Sequence, residues 1–168
     1  MDIFLEKLIK KQKTSKDLLY NIGVILIALI FIFIIIPSIP VIRHFLIFFI
    51  LIIGYISFYL IKSRNIEFEY ALTNNYFDID MIIDGKRRKP VLRTDCKDFE
   101  LVARVKSDKF TNEIKSIKNH IEAVSSMDSD GIYFAVFDYN GKKTVLFFEP
   151  GEKIIDAMWR YIPRKLYK

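Results

Sequence analysis

The sequence predicts an α+β membrane protein, in which a transmembrane helical hairpin is followed by an antiparallel β-barrel or sandwich with a C-terminal capping helix. Three observations support this prediction. Two uncharged apolar runs, Leu18–Ile36 and Phe45–Ile61, lie close together near the start of the chain. The hydrophobic period changes to two after Asn65, as in half-buried strands. A single amphipathic pattern with helical spacing ends the chain.

The first 17 residues form a basic amphipathic segment. Apolar side chains recur at helical spacing in its first part, at Met1, Phe4, Leu5, Leu8 and Ile9. This spacing predicts a short helix lying in the membrane interface, although the segment could also be only the charged flank that orients the first membrane helix. We assign four of its lysines to the interface: Lys7, Lys10, Lys11 and Lys13. Thr14 and Asp17 resemble a capping box, so a new helix is expected to begin there.

The apolar stretch from residue 18 to residue 61 is predicted to be the hairpin, with helices over 18–36 and 45–61 and a loop over 37–44. At about 1.5 Å per residue each run extends about 26–28 Å, close to a hydrocarbon core of roughly 30 Å. Pro37 and Pro40 place the turn in the loop. Gly23, Gly54 and Ser57 could let the two helices approach closely, or they could be incidental small residues.

Charge sets the expected orientation of this hairpin. Five lysines precede the first run, whereas Arg43 is the only Lys or Arg between the runs. The positive-inside rule therefore predicts a multi-pass protein of the cell membrane with both termini in the cytoplasm and Arg43 at the outer interface. A cleaved signal peptide is the alternative, but the first run is long for one and no small-residue cleavage site follows it.

Residues 65–168 are predicted to form a cytoplasmic domain of about seven antiparallel strands and one helix. Asn65–Asp80 reads as a strand hairpin, and Asp84-Gly85 marks the next turn. Asn140-Gly141 is the strongest hairpin signal in the chain. The final helix is expected to run from about Glu149 to Tyr161, with Trp159 in its buried face.

This order of strands and helix resembles pleckstrin-homology (PH)-like domains. The chain also resembles an uncharacterised family of small two-helix membrane proteins from low-GC Gram-positive bacteria, whose cytoplasmic part is PH-like. The matching stretches are Tyr70-Ala71-Leu72-Thr73-Asn74, Lys97-Asp98-Phe99-Glu100, Phe148-Glu149-Pro150 and Tyr161-Ile162-Pro163-Arg164-Lys165. The resemblance implies an architecture for the whole chain and supplies no catalytic motif.

Two basic clusters are candidate contact sites for lipid or a partner protein. The first, at a predicted strand turn, is Lys86, Arg87, Arg88 and Lys89; the second, near the end of the chain, includes Arg160, Arg164 and Lys165. Either cluster could contact the anionic inner leaflet. Alternatively, the turn is simply solvated and the tail complements the dipole of the last helix.

The sequence offers no candidate catalytic or metal-ligating set and no sign of a cofactor. Cys96 stands alone, His120 lacks a partner in a motif, and Asp78, Asp80 and Asp84 lack the remaining ligands of a calcium loop. Lys and Arg only slightly outnumber Asp and Glu after residue 62, so a nucleic-acid binder is not indicated.

These observations predict a non-enzymatic, membrane-anchored protein that presents a PH-like interaction domain at the inner leaflet. Its expected partners are the bilayer itself and an unidentified membrane or cytoplasmic protein, and a second copy of the chain also remains open. The alternatives are a sensor of anionic lipid surfaces and an accessory subunit of a membrane enzyme or transporter.

Overall fold

A computed structural model describes residues 3–40 and 44–168, so Arg43 lies outside the described residues. The chain forms two compact units. One contains the residues up to Lys11 together with Ile66–Lys168, and the other contains Gln12–Asn65. The N-terminal residues therefore belong to the same unit as the C-terminal two-thirds of the chain, and the apolar stretch is an insert within that unit.

The insert is a pair of apolar helices. Its described elements are α1 (Ser15–Ile30), a π-helical turn (Phe31–Ile35), α2 (Ile36–Ser38) and α3 (Leu46–Lys62). The predicted capping box is confirmed, because Thr14 Oγ1 accepts from the backbone of Asp17 while the Asp17 carboxylate accepts from the backbone of Thr14. Among the described residues, one helix, Ser15–Ser38, is long and apolar enough to cross a membrane, and α3 is shorter at 17 residues.

The close helix approach predicted at the glycines is wrong. A Cβ atom built at Gly23 or Gly54 meets nothing within 4 Å. A cavity of about 330 Å³ with an almost wholly apolar lining lies between the helices near Ala28, Phe31 and Ser57.

Sheet A is a four-stranded antiparallel sheet in the strand order β1-β2-β3-β4. Its strands are β1 (Phe4–Lys10), β2 (Ile66–Thr73), β3 (Tyr76–Ile83) and β4 (Arg87–Asp95). The predicted turn at Asp84-Gly85 is confirmed, since both residues have positive φ values, 54° and 65°.

The helix predicted for the first residues is wrong, because they form β1. All seven residues of β1 pair with β2. Ile9 is buried, and Ile3 and Leu5 pack against the same core. The partner strand β2 lies more than 55 positions away in sequence. Pairing with β2 outweighs the helical spacing of the apolar residues, and the local sequence alone does not reveal this pairing.

Sheet B contains the other four strands in the order β5-β7-β8-β6. They are β5 (Leu101–Arg104), β6 (Asn119–Ala123), β7 (Tyr133–Tyr139) and β8 (Lys142–Phe148). The turn predicted at Asn140-Gly141 joins β7 to β8, with φ values of 52° and 73°. The all-antiparallel prediction is wrong for β6, which pairs parallel to β8. A 3₁₀ turn (Cys96–Asp98) precedes β5, and α4 (Asn112–Ser116) precedes β6.

The described strands form two separate sheets, so the sandwich alternative describes the domain better than a closed barrel. Both sheets and α5 (Gly151–Tyr161) share one core. Phe77 of sheet A lies 5.4 Å from Phe148 of sheet B, measured between ring centroids. The C-terminal helix is confirmed, but the prediction that Trp159 is buried is wrong, because Trp159 is 46% exposed.

Candidate functional site

The two ends of the insert leave sheet A side by side. The Lys11 N–H donates to the Ile66 carbonyl at 2.9 Å, directly beyond the paired residues Lys10 and Glu67. We call this crossing point the neck. Within the insert, the Asp17 carboxylate lies 2.9 Å from the Arg64 guanidinium, so the start of α1 and the end of α3 are also held together. The apolar insert thus begins and ends at one place.

The basic turn lies at the same end of sheet A as the neck. One row of paired residues crosses the sheet from Lys10 through Glu67 and Ile82 to Arg88. Residues 86 to 89, which end the β3–β4 turn and begin the edge strand β4, are therefore at the neck end, and all four are exposed. Lys10 and Lys11 are exposed on the opposite edge of that end. We call Lys10, Lys11, Lys86, Arg87, Arg88 and Lys89 the neck rim.

Arg88 has a defined partner within the domain. Its Nη1 lies 2.6 Å from Glu69 Oε2, and its Nη2 donates to Glu69 Oε1 at 3.2 Å. This paired geometry fixes the guanidinium and balances its charge, while the side chain stays 63% exposed. The net positive charge of the rim therefore comes from its other members.

The C-terminal cations lie at the opposite end of the domain. Lys165 Nζ donates to the Lys97 carbonyl at 2.7 Å, and Lys97 follows the far end of β4. Arg160 and Arg164 are exposed at the end of α5 and just after it. The structure thus places the two basic clusters at opposite ends of sheet A, so they do not form one continuous surface.

Lys7 is held inside the folded domain. Its ammonium donates to the Glu149 carbonyl at 2.8 Å, where the chain turns into α5. Lys13, another lysine that the sequence assigns to the membrane interface, is exposed. Lys7 therefore ties β1 to the start of the C-terminal helix.

A buried polar network surrounds this bond. The Tyr70 hydroxyl donates to the Ala123 carbonyl and accepts from the Glu149 N–H at 3.0 Å. Glu149 Oε1 accepts from both the backbone and the hydroxyl of Ser125, at 2.9 and 2.8 Å. Burial raises the pKa of Tyr70 well above its usual range, so its hydroxyl stays protonated and can keep donating. The network joins β1, both sheets and α5, and the sequence did not reveal it because its members are far apart in the chain.

The remaining candidates stay isolated. Cys96 is fully buried, and burial raises the pKa of its thiol to about 12, which disfavours a nucleophilic thiolate. His120 packs its ring edge-on against Phe147 at 5.8 Å. Within residues 3–40 and 44–168, no cluster of three His, Cys, Asp or Glu is placed to hold a metal ion.

Two sheets around a shared core, closed by a C-terminal helix, are the architecture of a PH-like domain. The chain belongs to a family of bacterial PH-like domains, DUF6106, whose family model matches residues 1–168. The matched range includes the helical insert as well as both sheets. No curated protein and no solved structure matches the chain.

Family membership confirms the bacterial and PH-like parts of the resemblance. The two-helix membrane nature and the low-GC Gram-positive origin remain predictions. The family description names no activity, ligand or partner, so function has to be argued from the geometry.

Proposed function

We propose that this protein is a non-enzymatic membrane-anchored module, in which a helical hairpin inserted between β1 and β2 holds a PH-like interaction domain at the cytoplasmic face of the cell membrane. The neck is the observation that carries the proposal. Because Lys11 and Ile66 are hydrogen-bonded neighbours, a chain that enters a bilayer after Lys11 has to return to the same side before Ile66. An even number of crossings satisfies this condition, and a single crossing does not.

The lengths of the helices fit two crossings. Ser15–Ser38 has 24 residues. With 17 residues, α3 lies at the short end of the range of about 17–25 residues that spans a hydrocarbon core. Lysines before the insert, and Lys62 and Arg64 at its end, favour the cytoplasm for the neck side.

The neck also argues against the signal-peptide alternative. Cleavage after the first apolar helix would remove β1 from the mature chain. Sheet A would lose its edge strand, the buried Ile9, and the bond from Lys7 to Glu149. A segment that forms part of the folded domain is a poor candidate for removal.

Site-directed cysteine labelling tests this topology. In a Cys96→Ala background, single cysteines are introduced as Gln12→Cys, Ser38→Cys and Lys142→Cys, all at exposed positions. In intact cells a membrane-impermeant maleimide should label the Ser38→Cys variant. The other two variants should react only after permeabilisation. Labelling of the Gln12→Cys or Lys142→Cys variant from outside would overturn the topology.

A second candidate function is recognition of anionic lipid headgroups by the neck rim. The observation that favours it is the register of sheet A, which places Lys86–Lys89 at the end from which the insert leaves. Cations held next to the point of membrane entry would add electrostatic attraction to an anionic leaflet, and this attraction would weaken with salt.

Hydrogen exchange of the full chain in nanodiscs tests the second candidate. Amides around the β3–β4 turn should exchange more slowly in anionic than in neutral lipid, and added salt should remove the difference. Combined Lys86→Glu and Lys89→Glu should abolish it, whereas Lys118→Glu with Lys142→Glu, matched in charge but located on sheet B, should not. Equal exchange in both lipids would refute headgroup recognition and leave the hairpin as the sole membrane contact.

A further inference from the structure

The C-terminal helix α5 and the tail that follows it carry an exposed aromatic and basic surface. Its members are Lys109, Trp159, Arg160, Arg164, Tyr167 and Lys168, which we call the distal patch. Trp159 is 46% exposed and Tyr167 is 44% exposed. Trp159 is the only tryptophan of the chain, and it lies on the polar face of α5 together with Glu152 and Asp156. A partly exposed tryptophan on the polar face of a helix is available as an anchor for a binding partner.

The distal patch is rigidly held. Leu166 is buried, and the residues on either side of it bond to the edge strand β5: Val102 N–H donates to the Lys165 carbonyl and Tyr167 N–H donates to the Val102 carbonyl, both at 2.8 Å. Ile162 anchors the preceding turn in the core. A surface fixed in this way loses little conformational entropy when a partner binds.

Charge defines the chemistry of the partner. Residues 159–168 contain four cations and no acid. Lysine ammonium groups stack over both aromatic rings, Lys168 over Trp159 at 5.5 Å and Lys109 over Tyr167 at 4.7 Å. Lys168 also pairs with Asp156. Arg160 and Arg164 are exposed and form no ion pair with any residue that the structure describes, so their guanidinium groups stay available for carboxylates.

The C-terminal tail begins away from the neck. Lys165 Nζ bonds to the Lys97 carbonyl just past β4, which runs from Arg87 at the neck end to Asp95. A nine-residue strand extends about 30 Å. If the neck faces the bilayer, as the proposed function holds, this end of the domain lies toward the cytoplasm.

We propose that the distal patch binds an acidic segment of a cytoplasmic protein. Carboxylates of the segment pair with Arg160 and Arg164, and an apolar side chain of the segment stacks on Trp159. The orientation toward the cytoplasm rests on the proposed function, whereas the chemistry of recognition does not.

The test measures binding of a fluorescein-labelled peptide, Asp-Glu-Glu-Leu-Asp-Glu-Phe-Glu-Asp-Leu-Glu-Glu, to the full chain in neutral-lipid nanodiscs by fluorescence anisotropy. Trp159→Ala and, separately, combined Arg160→Glu and Arg164→Glu should each raise the Kd about tenfold or more. The charge-matched pair Lys118→Glu with Lys142→Glu should change the Kd less than about twofold.

Three results would overturn the proposal. The first is that the peptide does not bind, and the second is that both charge-reversal pairs weaken peptide binding equally. The third is that anionic vesicles displace the peptide and that the Trp159→Ala variant no longer binds these vesicles, which would make lipid the ligand. Circular dichroism of each variant checks that it is folded. The cysteine labelling experiment judges the topology independently, so peptide binding can succeed or fail without it.

Discussion

Replacing Tyr70 with phenylalanine should destabilise the PH-like domain by about 3 kcal/mol. The Tyr70 side chain is fully buried, and its hydroxyl donates to the Ala123 carbonyl and accepts from the Glu149 N–H. Tyr70→Phe keeps the ring packed against Phe77 and Phe148 but leaves both backbone groups without a partner. Each orphaned group costs about 1–3 kcal/mol, which gives about 2–6 kcal/mol for the pair before relaxation.

Thiol labelling of the single cysteine measures opening of the PH-like domain and does not depend on the helical insert. Cys96 is fully buried in the same core as Tyr70, so a thiol reagent reaches it only when the domain opens. When reclosing is faster than labelling, the labelling rate follows the open population, and 3 kcal/mol corresponds to an increase on the order of 100-fold.

The control is Tyr76→Phe, at a 60% exposed position in the β2–β3 turn region. It should change the labelling rate by less than about threefold, since surface substitutions usually stay within about 0.5 kcal/mol. If Tyr70→Phe also changes the rate by less than threefold, the hydroxyl does not hold these backbone groups and the network has been misinterpreted.

Three other predictions follow from the same contacts. Replacing residues 12–65 with Asn-Gly should give a water-soluble folded domain, because Lys11 and Ile66 are already hydrogen-bonded and a two-residue turn can join them. An aggregated product whose circular dichroism spectrum shows no strand content would contradict this prediction. Lys7→Met should lose the bond to the Glu149 carbonyl and speed Cys96 labelling about tenfold, whereas an unchanged rate would show that β1 does not depend on it. Because the pKa of Cys96 is raised to about 12, its contribution to stability is complete below about pH 8.5 and falls as the pH rises toward 12; urea unfolding across this range should show a shallower decline in Cys96→Ala.

Local signals predicted most of sheet A and the C-terminal helix. The alternation in β2 and β3, the turns at Asp84-Gly85 and Asn140-Gly141, and the helical spacing of α5 act over a few residues and appear as expected in the structure. In these elements the residues that form the pattern are also the residues that pack together.

Elements that depend on distant partners were missed. The spacing of Phe4, Leu5, Leu8 and Ile9 suits a helix, but the pairing of β1 with β2 across the insert decides its structure. The predicted apolar face of α5 includes Trp159, but in the structure Trp159 lies three residues after the exposed Asp156 and on the same side of the helix. The neck itself had no sequence signal, because it joins residues on either side of the insert.

The order of synthesis gives the neck a further meaning. β1 leaves the ribosome first, yet its partner β2 is not made until the entire helical insert has been translated. Sheet A therefore cannot close on a nascent chain whose insert has not yet been completed. Under the proposed topology, an insert that crossed the bilayer only once would separate β1 from β2 and leave sheet A unfolded, so that proteases could remove the misinserted chain.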